Sequence, residues 1–567
     1  MIKVQVVTNT EIKLSPIAKA VKASIIAVGL VHGAANAATV QVNSSTDGLG
    51  VLTCIPQPGV DCAIPGSNGP IICELRELVL LLTEPATYSS VTGLCLLDGE
   101  FGVDDRIVFR EDLTGETISL TDGRIDIREN MTIDATNIGN ITIDGSNQNG
   151  IFDIEDSTLT LNNLTVASTQ QYSAIDANNS TVTINNSTLL DNSGSFGGAA
   201  VNANQSTITI NNSAITNNKP LSGGSAFVAN NSLLTVNNSS FSENGATSNS
   251  GGGFGGAIRI RESELNINST SIINSTAGYG AAIGTIESIV TITESNISGN
   301  FANRRGGAIM ISRSTAQSNP SSVSIYSTTL SDNSTNGNGG AIVTSANSGA
   351  TEFYIVDSTL SRNTAGANGG AVWMRNSSAS ILNTTFSGNI AQDGDGGAIN
   401  LVSNYISLSN TTITNNTASD RGSGIFVSTF QVPTPIFHNS ILAGNNGNDC
   451  ESNLGLTSFV IADSFNIIQN DACSTDARNI DPMLGPLANN GGATLSHALL
   501  PTSPARNSGD LITCTTEDQR GQLRNNGDNA CDVGAIEFNR NDDFGEEEET
   551  NFIVIPLSNG RAVVIPN

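Results

Sequence analysis

GGAIMI, Gly306 to Ile311, is a short phrase whose near copies recur down the middle of the chain: GGSA from Gly223, GGAI from Gly255, Gly339 and Gly396, and GGAV from Gly369. Between copies lie pairs of apolar residues spaced by two, the alternation of a half-buried strand: Val182/Ile184, Ile208/Ile210, Leu234/Val236 and onward to Val323/Ile325 and Ile406/Leu408. Five residues after the second member of each pair comes another apolar residue, from Leu189 and Ile215 to Phe386 and Ile413. Equivalent positions return every 25 to 33 residues.

Three short strands per period, with no helical pattern between them, predict an all-β chain wound as a parallel β-helix, each period one turn of a solenoid. Turns stacked at the strand spacing of about 4.8 Å make roughly a dozen turns a rod about 60 Å long. Stacked aliphatic side chains would fill the inside. The pairs Asn185-Asn186, Asn211-Asn212 and Asn237-Asn238 fall at equivalent corners, where amides hydrogen-bond along the axis. The Gly-Gly-Ala phrase is then architectural, glycine giving a positive φ or a close backbone approach. A phosphate loop is excluded because no helix follows and no Lys-Ser/Thr pair completes it.

The 567 residues include 52 acidic against 24 basic, a formal net charge of −28, which excludes nucleic acid as a partner and sets the chain against anionic membranes. Residues 1–37 read as an export signal: Lys3, Lys13, Lys19 and Lys22, an apolar run from Ala23 to Val31, and the small-residue site Ala35-Asn36-Ala37, with cleavage near Ala37. No later apolar run reaches membrane-spanning length, so the mature chain is expected to lack a transmembrane span. The eight cysteines, Cys54, Cys62, Cys73 and Cys95 near the start and Cys450, Cys473, Cys514 and Cys531 near the end, avoid the repeats. In an exported protein they suggest disulfides in the terminal caps, with pairing open.

The expected organisation is a cap at 38–130, β-helix repeats at 131–470, a C-terminal cap at 471–538 and an acidic linker with a hairpin tail at 539–567. In the first cap CELRELVLLL, Cys73 to Leu82, is the helical candidate, with FGVDDRIVF and ETISL as first strands. CELRELV resembles the CSLREA-type segment of exported bacterial β-helix proteins. The stretch Asp481 to Asp510 with DQRGQLRNNGDNACDVGAIEF, Asp518 to Phe538, resembles the choice-of-anchor Q domain. The repeats resemble those of polymorphic outer-membrane-protein-like sequences. This resemblance implies a secreted or surface-displayed bacterial right-handed β-helix of the pectin-lyase-like kind, and it carries no catalytic residues. The tail shows neither an LPXTG signal nor an apolar anchor, while FIVIPL and RAVVIP around Ser558-Asn559-Gly560 read as a hairpin.

Two carboxylates flanking a cleft would mark a glycoside hydrolase, and the visible pairs are Asp104-Asp105 and Asp393/Asp395. His438 and His497 lack the Gly-His-Gly setting of pectin hydrolases. QDGDGGAI superficially resembles a calcium loop, leaving Asp393 and Asp395 as calcium candidates with no other cofactor implied, although a third acidic ligand is missing and Asn404 stands where the loop needs Glu. Thr-x-Thr ladders at Thr181/Thr183, Thr207/Thr209 and Thr291/Thr293, of the ice-binding kind, are interrupted by Asn266/Asn268 and Ser322/Ser324. Aligning the glycine phrases places Met310, Val343 and Trp373 in one line on the outer face of consecutive turns, with Arg375 beyond Trp373. Two adjacent insertions, SRSTAQSNPSS from Ser312 and TSANSGAT from Thr344, overhang that line. An outward tryptophan beside an arginine suits a sugar ring or a protein partner. Single exposed apolar residues are also ordinary on any surface. The expectation is a non-catalytic extracellular protein for adhesion, with an extracellular glycan or surface protein as partner; a polysaccharide lyase or hydrolase is the alternative.

Overall fold

The computed structural model describes residues 39–47, 74–83, 96–98 and 104–538 except 148–149, 195–196, 222–223, 246–252, 314–320, 347–350, 403–404, 430–433, 454–458, 472 and 525–529, together with 552–556 and 562–566. The segment read as an export signal, 1–37, and the cysteines at 54, 62, 73 and 95 lie outside these residues.

The chain is a parallel β-solenoid. Three sheets of fifteen, fourteen and thirteen strands run its length among the described residues. Sheet I collects the alternating strands, such as Thr181–Asn185 on Thr207–Asn211; sheet II the short strands five residues on, such as Thr188–Leu190; sheet III the strands after the glycine phrase, such as Ile309–Arg313. Pairing keeps strict register, Val182 facing Ile208 and Ile208 facing Leu234. Because side chains alternate, every inward residue stacks on an inward residue of the next turn. One continuous aliphatic core results, running from Val40 to Ala477.

A fourth sheet was not foreseen. Six strands from Thr276–Tyr279 to Thr417–Ala418 add a short fourth side to consecutive turns, directly before the glycine phrase. Its presence explains the two glycines. Gly306, Gly339, Gly369 and Gly396 hold φ between 65° and 74°, turning the chain out of sheet IV. A Cβ on Gly307, Gly340 or Gly370 would lie 2.0 Å from the carbonyl oxygen of the equivalent residue one turn on. The first glycine meets a conformational demand and the second a steric one. The alanine after them is fully buried in the core.

Polar ladders close the corners. Asn185, Asn211, Asn237 and Asn268 each donate an amide hydrogen bond of 2.9 Å to the asparagine of the turn before, the first of them to Asn162. The second asparagines of the pairs, Asn186, Asn212 and Asn238, take the left-handed turn at φ of 48° to 49°, which asparagine tolerates. A second asparagine ladder sits inside the wall: Asn300 donates to Asn333, Asn333 to Asn363, Asn363 to Asn389, Asn389 to Asn416 and Asn416 to Asn445 at 2.8–3.0 Å. Each also donates to a carbonyl of the preceding turn, as Asn333 does to Ile297. The ladder ends on Asp449, which accepts from Asn445 at 2.6 Å. Buried amides are tolerable here because each is satisfied by its neighbours.

A short helix packs against the N-terminal turns. Helix α1, Leu75–Thr83, contributes Leu75, Leu78, Val79 and Leu82 to the core. Arg76 ties it down through Asp47 at 2.7 Å and the carbonyls of Gly123 and Arg124. Thr117–Ser119 is the first strand of sheet II, whereas in sheet I Asp105–Phe109 is preceded by Thr39–Val42, which pairs with it in parallel and with Leu96–Asp98 antiparallel.

At the other end, the stretch 471–538 read as a C-terminal cap does two things. Closure comes from Phe459, Val460, Ala462, Cys473 and Ala477, with Cys473 bonded to Cys450. The rest doubles back along the corner of sheets I and II. There Thr494 donates to the Asp357 carbonyl, His497 meets Ser387, Gln519 meets Thr359 and Thr385, and the amide of Ala535 donates to Thr412. Small hydroxyl residues on the outer face of sheet II make this docking possible. Cys514–Cys531 closes a loop within the returning segment. The tail strands Phe552–Pro556 and Ala562–Pro566 pair antiparallel, the expected hairpin.

Candidate functional site

Met310, Val343 and Trp373 do stand in one row, paired residue to residue across sheet III. They form an apolar cluster separate from the lumen, joined by Phe254, Tyr279 and Val402. The expected exposure is wrong: Met310 and Trp373 keep 7 % of their surface and Val343 none. Sheet IV is the cause, for it raises a shoulder beside the row. Phe254 sits over Gly284, where a Cβ would come 2.5 Å from its ring, and the Arg305 guanidinium lies 5.6 Å from the centre of the Trp373 ring. Trp373 is therefore a packing residue. Trp373→Ala should lower stability by about 3 kcal/mol, read as a fall in the melting temperature; an unchanged melt would restore it to the surface. The core of each insertion, 314–320 and 347–350, lies outside the described residues.

What reaches solvent above this floor is arginine. Tyr279, half-buried, pairs in register with Arg305 on sheet IV, and bridges extend the line to Phe254 on one side and Asn338 on the other. Arg304 donates to the Tyr279 hydroxyl at 3.1 Å, its guanidinium 5.7 Å from the ring centre. Tyr279, Asn303, Arg304, Arg305, Asn336 and Asn338 rim an open depression of about 430 Å³. Arg304, Arg305 and Arg375 are exposed, while Arg259 lies half-buried two turns back from Met310 in the same outward row. Burial depresses the pKa of Arg259, with Arg261 adding to the effect, and its Nε has no hydrogen-bond partner. The sequence reading picked out Arg375 but missed Arg259, Arg304, Arg305 and Tyr279. The signal was present: FANRRGG is the one copy of the phrase preceded by two basic residues.

The carboxylate candidates do not converge. Asp104 is exposed in a left-handed turn while Asp105 is buried. Both oxygens of Asp395 accept from Arg421, at 2.9 and 3.0 Å, and Asp393 is exposed nearby. Among the described residues no group of three His, Cys, Asp or Glu is gathered as a metal site would require. His438 is half-buried on a sheet I strand. His497 bridges the Gly485 carbonyl and Ser387, and burial lowers its pKa.

Two buried carboxyls of the returning segment stand beside its own arginines. Asp518 accepts from the backbone of Arg520, Gln522 and Glu537 and pairs with Arg520 at 2.8 Å. Glu537, pushed up to about 8 by burial and the neighbouring Asp532, stands 3.6 Å from Arg524, whose pull the burial outweighs. A carboxyl whose folded pKa exceeds its unfolded one gives stability that is complete below about pH 4.5 and lost as pH rises through 8. Docking of residues 481–538 should weaken between pH 5 and pH 9, seen as increasing cleavage by a broad-specificity protease. Glu537→Gln should flatten that trend, and a profile unchanged by the substitution would contradict the assignment.

Segments 327–345 and 383–401 match the Chlamydia polymorphic membrane protein (Chlamydia_PMP) repeat. Each holds an inward residue of sheet II, Leu330 or Phe386, the ladder asparagine three positions on, Asn333 or Asn389, and the next glycine phrase. The match thus falls on the residues that build a turn. No curated protein matches the chain. No helix among the described residues is long and apolar enough to cross a membrane.

Proposed function

We propose that this chain is a surface-displayed, non-catalytic β-helix that serves adhesion or matrix binding. The observation that carries the reading is the cationic and aromatic shoulder, Tyr279 with Arg304 and Arg305, held open to solvent midway along a chain of net charge −28. Such a rod offers a rigid flank on which an extended ligand lies across several turns. The polymorphic membrane protein repeats support a place at the surface or outer membrane. The surface-exposed amide and hydroxyl rows suit hydrated surroundings. Purified mature chain on a glycan array, with reducing-end release measured in parallel, tests the reading. Retention without release is the expected result, and release of new reducing ends would establish an enzyme instead.

A further inference from the structure

Most arginines on this chain are neutralised. Arg76, Arg106, Arg110, Arg124, Arg128, Arg261, Arg362, Arg421, Arg520 and Arg524 each have a carboxylate within ion-pair distance. Six others among the described residues have none: Arg478 and Arg506 are held inside the returning segment by the carbonyls of Pro504 and Pro501, while Arg259, Arg304, Arg305 and Arg375 lie together on one flank of the solenoid. With acids outnumbering bases 52 to 24, four unpaired arginines on one flank need a cause.

Their levels along the axis are regular. The outward row of sheet III runs Arg259, Gly284, Met310, Val343, Trp373, one residue per turn. Arg304 and Arg305 enter on the turn of Met310, and Arg375 leaves on the turn of Trp373. A cationic level therefore occurs on every second turn, about 10 Å apart. Between levels lie Tyr279 and the amides of Asn336 and Asn338, while the Asn303 amide stands beside Arg304 on its own level.

Resting on the adhesion reading above, we infer that this flank is a binding site for an anionic polysaccharide lying along the solenoid axis. In an extended sugar chain, alternate residues face the same side and recur at about the two-turn spacing, so acidic groups would meet Arg259, Arg304/Arg305 and Arg375 in turn. Guanidinium forks take carboxylate or sulfate oxygens with paired hydrogen bonds. The half-buried Tyr279 offers a ring for stacking and the asparagines bond hydroxyls. Nucleic acid and anionic membranes carry negative charge over far broader surfaces and meet the acidic remainder of the rod, so they are disfavoured.

The test measures binding of the full mature chain to polygalacturonate and heparin, the carboxylated and sulfated arms, with fully methyl-esterified polygalacturonate and dextran as neutral arms. Binding to either anionic polymer, weakened on going from 50 to 300 mM salt, is expected. Arg304→Gln with Arg305→Gln should weaken it about tenfold or more. Arg362→Gln, at an ion pair on another corner, should not. Arg304→Gln alone, at an exposed side chain, covers the case in which the double variant melts early, and should still weaken binding severalfold. Equal binding to the neutral polymers, no binding to either anion, or unchanged affinity in both folded variants would overturn the site. If the chain binds only neutral glycans on the array, the site fails and the adhesion reading survives; if it releases reducing ends, the adhesion reading itself fails.

Discussion

Replacing Ile325 by aspartate should leave little cooperatively folded protein. Ile325 is fully buried and stacks between Ile292 and Ile355 in register on sheet I. A carboxylate there has neither water nor a cationic partner, a cost of several kcal/mol. In a solenoid that cost falls on an interface shared by neighbouring turns. Asn237→Asp is the matched control: its oxygen still accepts from Asn268 while the bond it donates to Asn211 is lost, so the change should cost about 1 kcal/mol. Thermal melts of the two variants side by side make the comparison, and equal melting temperatures would reject the register.

Arg524→Leu should release the returning segment while leaving the solenoid folded. The arginine is fully buried and donates to the carbonyls of Asp532, Gly534 and Ala535 and to Asn383 of the solenoid, at 2.9–3.2 Å. Leucine fills much of the volume and satisfies none of these acceptors, and it leaves Asp532 and Glu537 without their nearest cation. The penalty should be about 3–5 kcal/mol, as for other broken buried charge networks. Limited proteolysis reads it directly: rapid cleavage within 481–538 beside a protected core of repeats is expected, and full protection would show that the segment is held by other contacts.

The solenoid was legible in the sequence because its determinants are periodic. An apolar pair, a third apolar residue at a constant offset and a glycine phrase repeat often enough for the inward face to be assigned without coordinates. The buried asparagine ladder was equally periodic, at three residues after Leu189, Ile215, Phe241, Leu330 and their successors. It was missed because asparagine reads as a solvent residue until its neighbours one turn away are known to satisfy it. The glycine phrase was correctly taken as architecture. The outer face of the strand that follows it was misjudged, since alternation says which residues point away from the lumen and nothing about what then covers them. Sheet IV, built from two-residue strands such as Ser334–Thr335 and Ile390–Ala391, is too short to leave a periodic signal. The arginine flank escaped for a related reason: its members are far apart in sequence, and their lack of acidic partners appears only once the turns are stacked.

The central claim is that each repeat adds one strand spacing to a rod, so that residues hundreds apart in sequence sit a fixed distance apart on a flat face. Thr183 and Ser407 occupy the same column of sheet I, eight strand-to-strand steps apart. At about 4.8 Å per step their separation is about 38 Å. Spin labels introduced at both positions as non-natural amino acids, measured by pulsed dipolar spectroscopy, should give one narrow distance distribution centred near that value. A broad distribution, or a centre below about 25 Å, would contradict the stacked solenoid and every surface assigned upon it.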